Sequence, residues 1–198
     1  DWQIFQELET LGYDHGWAPD SQMIWSDCYA TLALSAHHTS RIRLGTGVAI
    51  AGTRTAPVTA HSIASINKLA PGRTFLGIGT GHTAMRIMGG RPMRAAAFRD
   101  YLRVVRGLLH GEEVAYETGG DKSLIRFLDR ELDSLNLENP VPIYVGANGP
   151  KALRAAGAYG DGRICAGNEP LGVLARNIET ARTGAAEVDR PWPEDFHT

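Results

Sequence analysis

A histidine preceded by three alternating glycines is the clearest chemical feature of this chain, in the stretch Arg73-Thr-Phe-Leu-Gly77-Ile-Gly79-Thr-Gly81-His82. The apolar half reads as a buried strand that delivers the imidazole to its carboxyl end. An imidazole there can hydrogen-bond a ligand or shuttle a proton. A structural or loop histidine is the competing reading. Residues without Cβ let a ligand or a neighbouring backbone come close. The dinucleotide fingerprint Gly-x-Gly-x-x-Gly is not met by this spacing, and no Lys-Ser or Lys-Thr pair follows the glycines, which excludes a Walker-type phosphate loop. His37 and His38 are adjacent, so they point to different sides of a helix and suit its end better than a metal. Cys28 and Cys165 each stand alone among apolar neighbours, and are read as buried thiols in a reducing cytosol. No metal site and no disulfide framework is expected.

The elements that must position these residues follow from periodicity. Trp2, Ile4, Phe5, Leu8 and Leu11 mark a helix stopped by Gly12. Tyr13 to Pro19 is a buried strand with Asp20-Ser21 at its exit, and Asp27 caps a helix through Ala36. Arg41 to Ile50 is a strand covered on both faces. Arg54 follows it and could meet an anion or lie on the surface. Pro57 opens a helix that carries a structural His61 and ends at Pro71-Gly72. Beyond His82, Met85, Ile87 and Met88 lead to a strong helix from Ala95 to Leu109, with Phe98, Leu102, Val105 and Leu109 on one face and Arg99, Arg103 and Arg106 on a solvated one. Residues 112–139 have no settled period beyond a turn at Gly119-Gly120-Asp121, and read as a peripheral insertion. Strand Val141–Val145, helix Lys151–Tyr159, strand Asp161–Ala166 and helix Leu171–Ala186 close the series before an irregular tail. Five strand-then-helix units argue for a parallel sheet with right-handed crossovers, doubly wound or barrel. In either, ligands lie beyond the carboxyl ends of the strands, here Asp20-Ser21, Val48 to Gly52, Gly79 to His82, Ala147 to Gly149 and Gly167-Asn168.

With 198 residues, 43% hydrophobic and 21% charged, the chain has ordinary globular composition, and its net charge of −2 offers no basic excess for nucleic acid. No run of about eighteen apolar residues suits a membrane, and Asp1-Trp2-Gln3 is unlike a secretion signal. The expected setting is cytoplasmic.

Four segments, Arg41-Ile-Arg-Leu-Gly-Thr-Gly-Val48, Leu69-Ala-Pro-Gly-Arg73, Leu76-Gly-Ile-Gly-Thr-Gly81 and Ile143-Tyr-Val-Gly-Ala-Asn-Gly-Pro-Lys-Ala-Leu153, resemble the bacterial luciferase-like superfamily of flavin- and deazaflavin-dependent oxidoreductases. They are most similar to its branch around methylenetetrahydromethanopterin reductase. The resemblance implies an α/β fold, a TIM-type (β/α) barrel with a flat cofactor at the carboxyl ends of the strands, and a homo-oligomer. It also implies that residues 1–198 form a single partial barrel domain, with the first strand and the last two strands absent, since five strands cannot close an eight-stranded barrel.

Carried over position by position, the resemblance places Asp20 and Ser21 at the reactive ring edge. Ser21 stands where the family's sugar-phosphate dehydrogenases have a histidine, which argues against their chemistry. Val48, Ala49, Ile50 and Ala51 match a bulge that often carries a non-prolyl cis peptide beneath the ring, an ordinary bulge being the alternative. Gly79, Thr80 and Gly81 match a cofactor-contacting segment, and His82 stands where those dehydrogenases have a glutamate. Ala147, Asn148 and Gly149 precede a helix start whose free amides suit a phosphate or acidic tail. The expected catalytic residues are thus His82, Asp20 and Ser21.

The expected activity is a luciferase-like oxidoreductase or monooxygenase that acts on a small organic substrate by hydride transfer or oxygen activation. Its cofactor would be FMN or the 8-hydroxy-5-deazaflavin coenzyme F420, with a flavin reductase as supplier if reduced FMN is used. A catalytically silent cofactor-binding or interaction protein is the alternative.

Overall fold

A computed structural model of the protein describes residues 2–128, 132–165 and 167–198. The elements run α1 (Gln3–Thr10), β1 (His15–Ala18), α2 (Cys28–His38), β2 (Arg43–Thr46), β3 (Ala49–Ile50), α3 (Ala56–Leu69), β4 (Thr74–Gly79), α4 (His82–Ile87), α5 (Ala95–Leu109), β5 (Val114–Thr118), β6 (Asp121–Ile125), β7 (Ile143–Gly146), α6 (Pro150–Tyr159), β8 (Gly162–Ile164) and α7 (Leu171–Ala186). The punctuation read from the sequence is in place. Gly12 takes φ +87°, a left-handed turn after α1. The Asp27 carboxylate accepts the Tyr29 and Ala30 amides at 2.9 and 3.0 Å, capping α2. Pro57 sits in the first turn of α3, where its missing N–H costs nothing.

Sheet order separates barrel from doubly wound. The path is β1-β2-β4-β7-β8, with β3 also on β4, and every pairing is parallel. Each crossover therefore moves one place in the same direction, and the strand order nowhere reverses as a doubly wound sheet requires. This is consecutive (β/α) barrel topology. The tail adds a parallel bridge beside β8, with His197 opposite Gly162.

Strand alternation divides the sheet into two faces. Leu44, Leu76, Ile78, Ile143 and Val145 join the core formed with Leu32, Ile63, Phe98, Leu102 and Leu153 of the helices. Each such side chain contributes roughly 1.5–3 kcal/mol by leaving water. Trp17, Phe75 and Tyr144 occupy the other, concave face, with ring centroids 4.4 Å apart for Trp17–Phe75 and 5.6 Å for Phe75–Tyr144.

Three expectations need correction. Residues 112–139 contain an antiparallel hairpin, β5 with β6, turned by Gly119 and Gly120 at φ +62° and +92°. Most of its side chains are exposed on both faces, so no alternating pattern marked it; residues 129–131 of that segment lie outside the described residues. Arg99, Arg103 and Arg106 are not a free solvated face. Arg99 pairs with Glu187 at 3.2 Å and Arg106 with Asp161 at 2.9 Å, while Arg103 reaches Asp100 and the Ala115 carbonyl. They fasten α5 to α7, to the start of β8 and to the hairpin. Cys165 is half-buried, whereas Cys28 is buried as expected. The strand expected over Asp161–Ala166 is described only to Cys165 and is regular over Gly162–Ile164.

Candidate active site at the carboxyl rim

Because the strands are parallel, their carboxyl ends share one rim, and that rim carries Ser21, Val48, His82 and Asn148. Its centre is built by β2, β3 and β4. The Gly47 amide donates to the Ala18 carbonyl at 2.7 Å, and the Gly47–Val48 peptide is cis. The chain then rejoins β4, with Ala49 beside Ile78, Ile50 beside Gly79, and the Ala51 amide on the Gly79 carbonyl at 3.0 Å. Val48 Cγ2 lies 3.2 Å from where a Cβ on Gly79 would stand, and Ile50 Cγ2 only 2.4 Å from the same point on Gly81, whose φ is +83°. Gly146 brings β7 alongside, 3.8 Å from the Gly79 Cα by the same measure. Val48, Ile50, Gly79 and Gly81 thus form one contiguous packed patch, with Val48 half-buried and the other three buried.

The Asp20 side chain completes this surface from below. After Ala18, Pro19 has no N–H and β1 ends, so β3 lacks a strand partner on that side. The Asp20 carboxylate takes the place of that partner: Oδ2 accepts the Ile50 amide at 3.1 Å and Arg54 Nη1 at 2.7 Å, and Oδ1 accepts Gln22 Nε2 at 2.7 Å. It is 3% exposed, so its sequence-assigned place at the ring edge is occupied by a carboxylate already committed to the protein. Arg54 also reaches Asp27 at 3.0 Å and stacks 4.7 Å over the Tyr29 ring. Burial lowers its pKa, but the charge and hydrogen bond of Asp20, with smaller contributions from Tyr29 and Cys28, together outweigh that and raise it. Burial first, then the Asp20 charge, pushes the neighbouring Cys28 thiol far up, so it stays protonated. Tyr101 bonds Thr59 at 2.6 Å and the Arg54 carbonyl at 3.0 Å, and burial pushes its phenol up to about 12.

At the β7 exit Ala147 is buried while Asn148 and Gly149 are exposed, with nothing within 4 Å of a Cβ built on Gly149. Arg163 organises this corner. Its side chain is fully buried, donates to the Ala147 carbonyl at 2.7 Å and to Asn148 Oδ1 at 3.4 Å, and forms a two-pronged pair with Glu169. Asn177 supports Glu169 at 3.1 Å. Sequence reading passed over Arg163; the signal available was a cation inside a short apolar strand, with an acid six residues on.

Ser21 is half-buried and its carbonyl accepts the Ile24 and Trp25 amides at 3.2 and 3.0 Å. His82 is exposed, the first residue of the short α4, which follows directly from Gly81. Thr80 is half-buried, its carbonyl accepting the Met93 amide at 3.1 Å. Below the rim, a cavity of about 420 Å³ on the concave face is lined by Trp17, Tyr144, Ile164, Cys165 and His197, among others. Among the described residues no group of three or more His, Cys, Asp or Glu could hold a metal, and no helix is long and apolar enough to cross a membrane.

Residues 2–196 match the family described as Luciferase-like monooxygenase. A 5,10-methylenetetrahydromethanopterin reductase of Methanolobus tindarius is 36% identical over 166 residues, covering 82% of this chain and 48% of that protein. An F420-dependent glucose-6-phosphate dehydrogenase of Beutenbergia cavernae is 33% identical, covering 92% of this chain and 57% of its own. Among solved structures, the coenzyme F420 dependent tetrahydromethanopterin reductase of Methanopyrus kandleri superposes with a TM-score of 0.74 at 25% identity, over 96% of this chain and 59% of that one. The chain spans about half the length of the curated relatives it matches. Sequence and topology together make it a member of the luciferase-like monooxygenase family.

Proposed function

We propose that the protein is a deazaflavin-dependent oxidoreductase that moves hydride between coenzyme F420 and a small organic substrate at the carboxyl rim. The observation that carries this reading is the contiguous patch of Val48, Ile50, Gly79 and Gly81 at the rim, backed by Asp20, in which a Cβ on Gly79 would meet only Val48. A planar ring fits against it, because a side chain on Gly79 would stand between Val48 and that ring. Coenzyme F420 supplies a two-electron hydride and reacts poorly with oxygen, whereas reduced FMN activates oxygen. F420 is preferred because the Beutenbergia and Methanopyrus relatives are both named for it.

In this reading Val48 and Ile50 cover one ring face and keep water from it, with Ala49 and Ala51 packed in the core behind them. Thr80 and Gly81 border its edge. The exposed amides around Asn148 and Gly149, held in place by Arg163, receive the anionic tail. His82 holds or moves a proton at an imidazole nitrogen, and the Ser21 hydroxyl hydrogen-bonds the substrate. Asp20 positions the Ile50 amide rather than exchanging protons with substrate. The reading includes a homo-oligomeric cytoplasmic protein, with a flavin reductase needed only if FMN is the cofactor.

Titration of the intact protein with reduced F420 and reduced FMN tests it. Tight binding of F420 without oxygen consumption is expected, and His82→Ala should lower turnover at least tenfold while leaving the thermal unfolding midpoint in place. Binding of neither cofactor would overturn the reading, and oxygen consumption with FMN would move it to a monooxygenase.

A further inference from the structure

Resting on the cofactor reading above, we propose that Arg54 is a positioning residue for the cofactor surface, acting through Asp20 on the Ile50 amide. The Arg54 side chain donates its hydrogen bonds to Asp20 and Asp27 and not to Val48, Ile50, Gly79 or Gly81. It sits one layer behind them, where it joins the three segments that must stay in register for the surface to exist. Its Nη1 holds the Asp20 carboxylate after β1, its Nη2 holds Asp27 at the start of α2, and its own carbonyl is pinned by Tyr101 of α5.

The need for such a residue is physical. β3 is two residues long and pairs with β4 on one side only. On its other side the Ile50 amide has just the Asp20 carboxylate, and a buried carboxylate is tolerable only where a cation and hydrogen bonds offset its lost hydration. Arg54 is that cation, and is itself shielded, with a side chain 17% exposed. The other ionisable neighbours cannot substitute: Cys28, Tyr29 and Tyr101 are held protonated by burial, and Asp27 bears the same charge as Asp20. The guanidinium also meets two carboxylates at once through separate nitrogens, which a lysine ammonium on a flexible stem reproduces poorly.

Removal of Arg54 therefore leaves an uncompensated carboxylate under the cofactor surface, and the segment Val48–Ala51 should shift to rehydrate it. Removing both charges should partly restore the surface, because the amide of an asparagine at position 20 can still accept the Ile50 N–H.

The test compares wild type, Arg54→Met, Arg54→Lys and the double variant Asp20→Asn/Arg54→Met of the intact protein. Two readouts are taken: amide hydrogen exchange over residues 48–51 without cofactor, and the dissociation constant for F420. Arg54→Met should accelerate exchange in 48–51 at least tenfold with α5 unchanged, and weaken F420 binding ten- to a hundredfold. Turnover at saturating F420 should stay within about threefold. Lysine and the double variant should each recover part of both losses. Unchanged exchange in Arg54→Met overturns the inference, as does faster exchange with unaltered affinity, or a double variant worse than the single one. Failure of wild type itself to bind F420 is a different result: it removes the cofactor reading and this inference with it. Should Arg54→Met not fold, the lysine and double variants decide, and equal affinity in both with wild type would count against the proposal.

Discussion

The two halves of the concave face use the same residue, glycine, for opposite ends. Toward the amino ends of the strands, a Cβ on Gly45 would stand 2.3 Å from the Phe75 ring, and one on Gly77 would stand 2.2 Å from the Thr46 carbonyl and 2.9 Å from Trp17. These glycines are filled in by neighbouring rings and backbone. At the carboxyl ends, Gly79 meets only Val48, at 3.2 Å, and Gly149 meets nothing within 4 Å. Gly79 and Gly149 keep room that Gly45 and Gly77 lack, whereas Gly81, against Ile50 and Met85 at the same rim, is packed closed. Glycine in a strand therefore marks close approach, but only the fold shows whether protein or ligand makes that approach.

The largest expected effect comes from closing the wrong half. Gly77→Ala puts a methyl against backbone that cannot swing away, and should destabilise the protein by about 3 kcal/mol or more, or abolish folding, as read by thermal unfolding. Gly79→Ala separates the two halves most sharply. Its new methyl needs Val48 to yield by a few tenths of an ångström, so unfolding should change by less than about 1.5 kcal/mol. F420 affinity should nevertheless fall at least tenfold. Equal stability losses at Gly77 and Gly79 would erase the distinction.

Away from the concave face the effects shrink. Asp27→Ala removes the α2 cap and one arm of Arg54, for about 1–2 kcal/mol by denaturant titration. Smallest is Glu9. Burial raises its pKa, but the amides of Ser40, Arg41 and Ile42 outweigh that and lower it to about 2. A lowered folded pKa means that its contribution is complete above the unfolded value of 4.5 and disappears as pH falls through about 2. Glu9 is half-buried at the surface, and screening by the adjacent solvent holds that to less than about 1 kcal/mol. Glu9→Gln should flatten stability over that acid window and nowhere else.

Much of this organisation was legible because it depends on local rules. Asp27 as a cap, Pro57 in a first turn, and α5 over Ala95–Leu109 follow from residue type and period alone. The parallel order followed from the rhythm of strands and helices. What could not be read depends on contacts far apart in the chain. Nothing local to Asp20 says that its carboxylate serves Ile50 thirty residues on, and nothing local to Arg163 says that it braces Ala147. The hairpin was hidden because exposed strands carry no burial pattern. Gly77 and Gly79 look alike in sequence because the difference between them lies in Thr46 and Trp17, on other strands.

A crystal structure of the intact protein with F420 tests the central claim most directly. The account predicts the deazaflavin ring in van der Waals contact with Val48 and Gly79, and its anionic tail at Asn148 and Gly149. A ring seated instead in the cavity between Trp17, Tyr144 and Cys165 would contradict it.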